Sequence, residues 1–114
     1  MPHSLEAPGA LLDQLASQSS RRALMTFVRH RPELWTPAIV EGLYERVVRV
    51  ARVDLRQAER LADAAMWIAD QLGDDRSRAQ SLRAVGHVAL FRGHHSKALE
   101  RYEAALAPYL NGIE

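Results

Sequence analysis

The chain has 114 residues, enough for one small domain with a single core and much of its surface still exposed. Its 15 basic and 14 acidic side chains leave a net charge of +1, so no global imbalance marks it as a nucleic-acid or membrane binder. The absence of cysteine excludes disulfides, thiolate nucleophiles and cysteine-ligated zinc. No apolar run approaches the roughly 20 residues that span a bilayer, and the stretch from Met1 to Glu6 lacks the regions of a secretory signal. The expectation is a cytoplasmic protein without membrane contact.

Residues 1–9, with Pro2 and Pro8, read as a flexible lead-in, and residues 10–36 as short N-terminal helices. Leu11, Leu12 and Leu15 make an apolar stripe at helical spacing between Ala10 and Ala16. The polar run from Ser17 to Ser20 interrupts it and offers a serine cap to a helix from about Arg21 to His30, with Leu24, Phe27 and Val28 on one face. Pro32 ends that helix. After a connector, Thr36 followed by Pro37 is a helix start: a cap oxygen, then a residue whose missing N–H is not needed in the first turn.

From Ala38 to about Val53, residues Val40, Leu43, Tyr44, Val47, Val48 and Ala51 recur at three and four positions, and Ile39 and Val50 widen the face. Such a helix needs cover on two sides, and the N-terminal helices are the nearest cover. Glu45 and Arg49 lie outside the stripe as an i,i+4 pair. Asp54 is placed to cap the next helix, with Gln57 completing a capping box. That helix buries an alanine-rich face, Leu55, Ala58, Leu61, Ala62, Ala65, Ile68, Ala69 and Leu72, and Gly73 stops it before Asp74 and Asp75 restart the chain.

Between Ala79 and Gly112, small residues are spaced for close helix packing. Gly86 and Ala89 lie one turn apart on a first helix, Ala98 and Ala105 share a face of a second, and Tyr102 fills the space between the alanines. Gly93 falls where the first helix must stop. Leu82, Gly86, Ala89, Gly93, Ala98, Tyr102 and Ala105 thus follow the large and small pattern of a tetratricopeptide (TPR) repeat of about 34 residues, with the usual aromatic beside Ala89 displaced to Leu90 and Phe91. The stretch resembles one such repeat.

The resemblance implies an all-α fold of antiparallel helix hairpins stacked as a short TPR-like α-solenoid. Residues 37–114 then form two hairpins, degenerate over 37–73 and well formed over 79–112. Ala58, Ala62 and Ala65 answer to Ala98, Tyr102 and Ala105, which sets Arg46 opposite Gly86. Aligning Gly42 with Gly86 instead requires an extra turn, and the sequence leaves both registers open. With the phrase Leu72-Gly73-Asp74-Asp75, residues 21–114 are similar to the N-terminal part of long bacterial TPR proteins, some of which carry a C-terminal effector such as a caspase-like peptidase domain. A bacterial origin, a piece of a longer protein and a last helix open on one side are what this similarity implies.

In this repeat family the positions of Arg83 and His87 tend to face the concave groove. The resemblance therefore implies that they could receive a peptide carboxylate, with Gln80 and Leu90 completing the wall; the alternative is a solvated helix face. Leu43 and Val47 are too apolar to line that groove in water, so the N-terminal helices are expected to fill part of it. His94 and His95 fall in the turn after Gly93 and diverge, so with His87 they make no metal site. No serine lies in a nucleophile elbow, no His-Asp pair is placed to activate one, and no glycine-rich phosphate loop occurs. Neither catalysis nor a cofactor is expected.

Arg21, Arg22, Arg29, Arg31 and His30 make the N-terminal third locally basic, which reads first as a solvated surface with acidic neighbours brought in by folding and second as an anion patch. Trp67 lies off the alanine stripe of its helix. Two readings stand open for it: an exposed interface anchor, or packing against Trp35 and the N-terminal helices. Tyr109, Leu110 and Ile113 are further candidates for contact with a second chain. The expected function is a non-catalytic protein- or peptide-binding scaffold of TPR type, with homodimerisation through exposed helix faces as one route. The alternative is a regulatory repeat segment of an effector enzyme, and the third reading is an anion or nucleic-acid adaptor.

Overall fold

The structure, a computed structural model, describes residues 8–111, with side chains described as far as Tyr109. Six α-helices follow in order: α1 (Pro8–Ala16), α2 (Arg21–Arg29), α3 (Pro37–Val50), α4 (Leu55–Leu72), α5 (Asp75–Phe91) and α6 (His95–Asn111). A 3₁₀ turn, Pro32–Leu34, joins α2 to α3, and no strand occurs among the described residues.

The helix starts have local chemical causes. Side-chain oxygens take up first-turn N–H groups: Ser20 from Ala23 at 3.1 Å, Thr36 from Ile39 at 3.3 Å, Asp54 from Gln57 at 3.0 Å and Asp74 from Ser77 at 2.9 Å. The amide of Ser77 holds the Asp74 carboxyl below its ordinary pKa. Because Asp74 is the cap, α5 begins a full turn before Ala79, through a stretch too polar to show apolar periodicity. At the other extreme, α1 opens at Pro8, inside the expected lead-in, because a proline suits the first helical position. Residues 1–7 of that lead-in lie outside the described residues. Two helix exits use glycine at positive φ, +74° at Gly73 and +83° at Gly93, where any side chain would be strained. His95 is the first residue of α6 rather than part of the turn.

Two expected side-chain pairings are replaced. Gln57 does not reach back to close a capping box; its Nε2 donates to the Ala16 carbonyl at 3.0 Å, satisfying an end group of α1 and tying it to the start of α4. Arg49 and Glu45 form no ion pair, whereas Arg46 reaches Asp13 of α1 at 2.6 Å.

α3 pairs with α4 and α5 with α6, the short turns making each pair antiparallel, and α5 rests on both α3 and α4. Outside this layer α1 covers α3 and α2 covers α4. The main core therefore centres on α3, where Val40, Leu43 and Val47 are fully buried among side chains of α1, α2, α4 and α5. Gly42 is what lets α1 in: a β-carbon there would run into the Leu12 side chain. Gly86 serves a different contact, since a β-carbon there would stand 3.2 Å from Tyr102 and from the Arg101 β-carbon, both on α6. The two glycines thus admit different neighbours, while Ala58 and Ala65 of α4 are buried just as Ala98 and Ala105 of α6 are.

Among the described residues, α6 has cover on one side alone. Ala98 and Ala105 are its buried residues, whereas Leu99, Leu106 and Tyr109 are 58 %, 53 % and 49 % exposed. Truncation should therefore have unequal effects along the chain. Leu43→Ala is expected to lower stability by about 2–5 kcal/mol in urea denaturation, because it opens a cavity in the core. Leu106→Ala should change it by less than about 0.5 kcal/mol.

Candidate functional site

A groove of about 490 Å³ runs between α5 and α6. Arg76, Ala79, Gln80 and Arg83 line it from α5, and Tyr102, Ala105, Leu106 and Tyr109 from α6. Each set recurs at three and four residues, so each helix contributes one stripe. The buried Ala79 and Ala105 form the floor, and the walls carry cations and phenol rings.

Arg83 is the best-ordered cation in it. Its Nη2 donates to the Tyr44 hydroxyl of α3 at 2.9 Å, its guanidinium carbon lies 4.6 Å from the Tyr44 ring centre, and Nη1 stands 3.4 Å from Gln80 Oε1. Burial raises the pKa of Tyr102, the nearby Tyr44 adds to that and Arg83 opposes it, so the phenol stays neutral at ordinary pH. No carboxylate pairs with Arg83 among the described residues, and Arg76 meets Glu41 at only 3.7 Å on an exposed surface. The groove is apolar below, cationic at the side and without an acidic lining residue.

Of the residues expected to bind a partner, Gln80, Arg83 and Tyr109 come together here. His87 and Leu90 do not join the lining. The His87 ring lies 5.0 Å from that of Phe91, its Nε2 is enclosed with no hydrogen-bond partner, and burial, aided by the charge of Arg52, lowers its pKa. An enclosed neutral imidazole makes a poor second cation beside Arg83. Leu90 is 41 % exposed near the end of α5. Ile113 and the Leu110 side chain lie outside the described residues.

Trp67 is held by Trp35. The rings meet edge to face with centres 5.1 Å apart, and Trp35 Nε1 donates to the Val28 carbonyl at 2.9 Å, so the pair clamps the α2–α3 connection onto α4. The part of Trp67 left open lines a shallower groove with Met25 and Arg29 of α2. In the N-terminal arginine cluster, Arg21 meets Asp63 at 3.2 Å and Arg31 meets Glu33 at 3.9 Å, while Arg22 and Arg29 form no ion pair among the described residues. Burial raises the Asp63 pKa against the pull of Arg21.

Sequence reasoning did not assign Leu106 and Arg76 to the site. The signal was present for Leu106, which stands four residues after Tyr102 and three before Tyr109; Arg76 fell in the polar turn that hid the start of α5. Among the described residues no group of three or more His, Asp or Glu is placed to share a metal ion, and no helix is long and apolar enough to cross a membrane. No protein-family model matches the chain, and no curated protein or solved structure is significantly similar to it.

Two measurements check these assignments. The lowered His87 pKa means that the unfolded chain binds the proton more readily, so the stabilisation is present above about pH 6.5 and is lost as pH falls below it. The melting temperature should therefore drop more steeply between about pH 7 and pH 5 in the native chain than in His87→Leu; parallel curves would remove the imidazole from the account. Trp67→Ala should cost about 2–4 kcal/mol in denaturant unfolding, as for a packed aromatic.

Proposed function

We propose that the chain is a non-catalytic protein-interaction module, built as two stacked TPR-like hairpins, which takes a carboxylate-bearing segment of a partner protein in the α5/α6 groove. The observation that carries this reading is Arg83, positioned by Tyr44 and Gln80 beside an apolar floor and without a carboxylate among the described residues. A guanidinium held in one place loses little entropy on pairing, and pairing beside apolar surface is worth more than in open water. The equivalence of Ala58 and Ala65 with Ala98 and Ala105, and the packing of α5 across both helices of the preceding pair, support the repeat reading. The exposed stripe of α6 supports a surface that is completed by another polypeptide. A cytoplasmic, bacterial setting and a scaffold role belong to the same proposal.

The test uses Arg83→Glu and Leu106→Arg, both at exposed positions where the fold should survive, as circular dichroism would verify. Proteins retained by the native chain from a cell extract should be lost with both variants. Equal retention by both would sink the assignment of the groove.

A further inference from the structure

A second concave face lies over α4 and shares no lining residue with the α5/α6 groove. It is a trough of about 1020 Å³ walled by α2, which continues as a hollow of about 440 Å³ toward the start of α6. Asp63, Val85 and Arg101 line both parts, so the two are continuous. Glu59, Asp63, Met66 and Asp70 are spaced by four, three and four residues, so one stripe of α4 runs along its floor. At the helical rise that stripe is about 17 Å long, room for roughly five residues of extended chain or three turns of helix. Met25, Met66, Trp67 and Val85 are half-buried there and leave thioether, indole and branched apolar surface open.

The carboxylates of the trough are engaged within the chain: Asp63 with Arg21 at 3.2 Å, Glu59 with Arg92 at 2.7 Å and Asp70 with Arg78 at 3.8 Å. Its other cations are not. Arg22 and Arg29 on the α2 wall, and Lys97 and Arg101 on the α6 side, meet no carboxylate among the described residues. Arg29 stands in the last turn of α2, where a cation suits the helix dipole. Arg22 and Lys97 have no such cause. They stand in the first turns of α2 and α6, where the dipole favours acids, and neither first turn holds one. Cations at these places add to the positive field over the trough instead of stabilising their helices.

The lining discriminates between anionic partners. A nucleic-acid strand would carry its phosphates past Glu59, Asp63 and Asp70, and Trp67 is the one Trp, Tyr or Phe among the described lining residues, so no series of rings meets successive bases. A protein segment separates the two needs, with apolar side chains on the floor and carboxylates at the rims.

We infer that the trough over α4 is a second docking surface, taking a short acidic segment of another protein whose apolar side chains sit on Met25, Met66 and Trp67 and whose carboxylates pair with Arg22 and Arg101 on opposite walls. A guanidinium accepts a carboxylate in a two-pronged pair, and the neighbouring apolar surface strengthens it. The surface is separate from the α5/α6 groove and does not rest on it.

Selection of random displayed peptides of about ten residues against the 114-residue chain tests this. Sequences with Asp or Glu flanking Leu, Met or Phe should be enriched, and the most enriched one, synthesised with a fluorescent label, should bind more weakly as salt is added. Arg22→Glu and Arg101→Glu should each weaken its binding about tenfold. Arg22→Glu should do so with a melting temperature equal to or above that of the native chain, because an acid suits the start of α2, which separates lost binding from a lost fold. Leu106→Arg should leave the affinity unchanged, since that residue lines the other groove. No enrichment, enrichment without acidic residues, or an acidic peptide indifferent to both arginine variants overturns the inference. Tighter binding of a single-stranded DNA of about twelve nucleotides at the same arginines overturns it too, by naming a different partner. Peptides lost with Arg83→Glu and Leu106→Arg alone belong to the α5/α6 groove: they overturn the second surface and leave the interaction-module reading standing.

Discussion

The enclosure of α3 is the constraint on which the other elements depend. Its apolar residues spread too far around the helix for one neighbour to cover, and α1, α4 and α5 each take a share. α1 lays Leu12 against the bare backbone of Gly42, and it is then secured by Arg46 on Asp13 and by Gln57 on the Ala16 carbonyl. The short N-terminal helices would be marginal alone and owe their stability to this cover. α3 is thus the centre of a core, and the groove lies farther out, between α5 and α6.

The fixed position of α3 in turn fixes Arg83. Tyr44 belongs to the same helix that supplies the core, yet its hydroxyl reaches the far side of α5 and fixes the guanidinium there. Packing at Leu43 and chemistry at Tyr44 are adjacent positions of one rigid element. A side chain mounted in this way is more exactingly placed than one on a loop. His87 shows the opposite outcome. One turn along α5 it meets Phe91 and its Nε2 is enclosed, so the two residues that share a helix face have different surroundings.

What could be read from the sequence divides along physical lines. Small residues at fixed spacing, as at Gly86, Ala98 and Ala105, announce close packing because nothing else needs them there, and the pairing of α5 with α6 follows. Caps with an oxygen and a proline, as at Thr36 and Pro37, are likewise local signals. The polar first turn of α5 has no such signal, since Asp74 needs only backbone N–H groups to act on. Contacts between distant parts of the chain were less legible: Trp67 on Trp35 was one of two readings that the sequence left open, while Gln57 on Ala16 and Leu12 over Gly42 depend on how helices are placed, and no spacing within either segment encodes them. The groove was half visible. Gln80, Arg83 and Tyr109 could be named from helix faces, whereas Tyr44 was read only as part of an apolar stripe.

The one-sided burial of α6 gives the fold a direction of dependence. α6 leans on α5, and α5 leans on α3 and α4, but the main core includes no residue beyond Val88. The exposed face of α6 can therefore drift in sequence without reopening the α3-centred packing, while Ala105 stays tied to Ala79 and Leu82 of α5. Selection on the exposed face of α6 and selection on the α3-centred core act on largely separate stretches of the sequence.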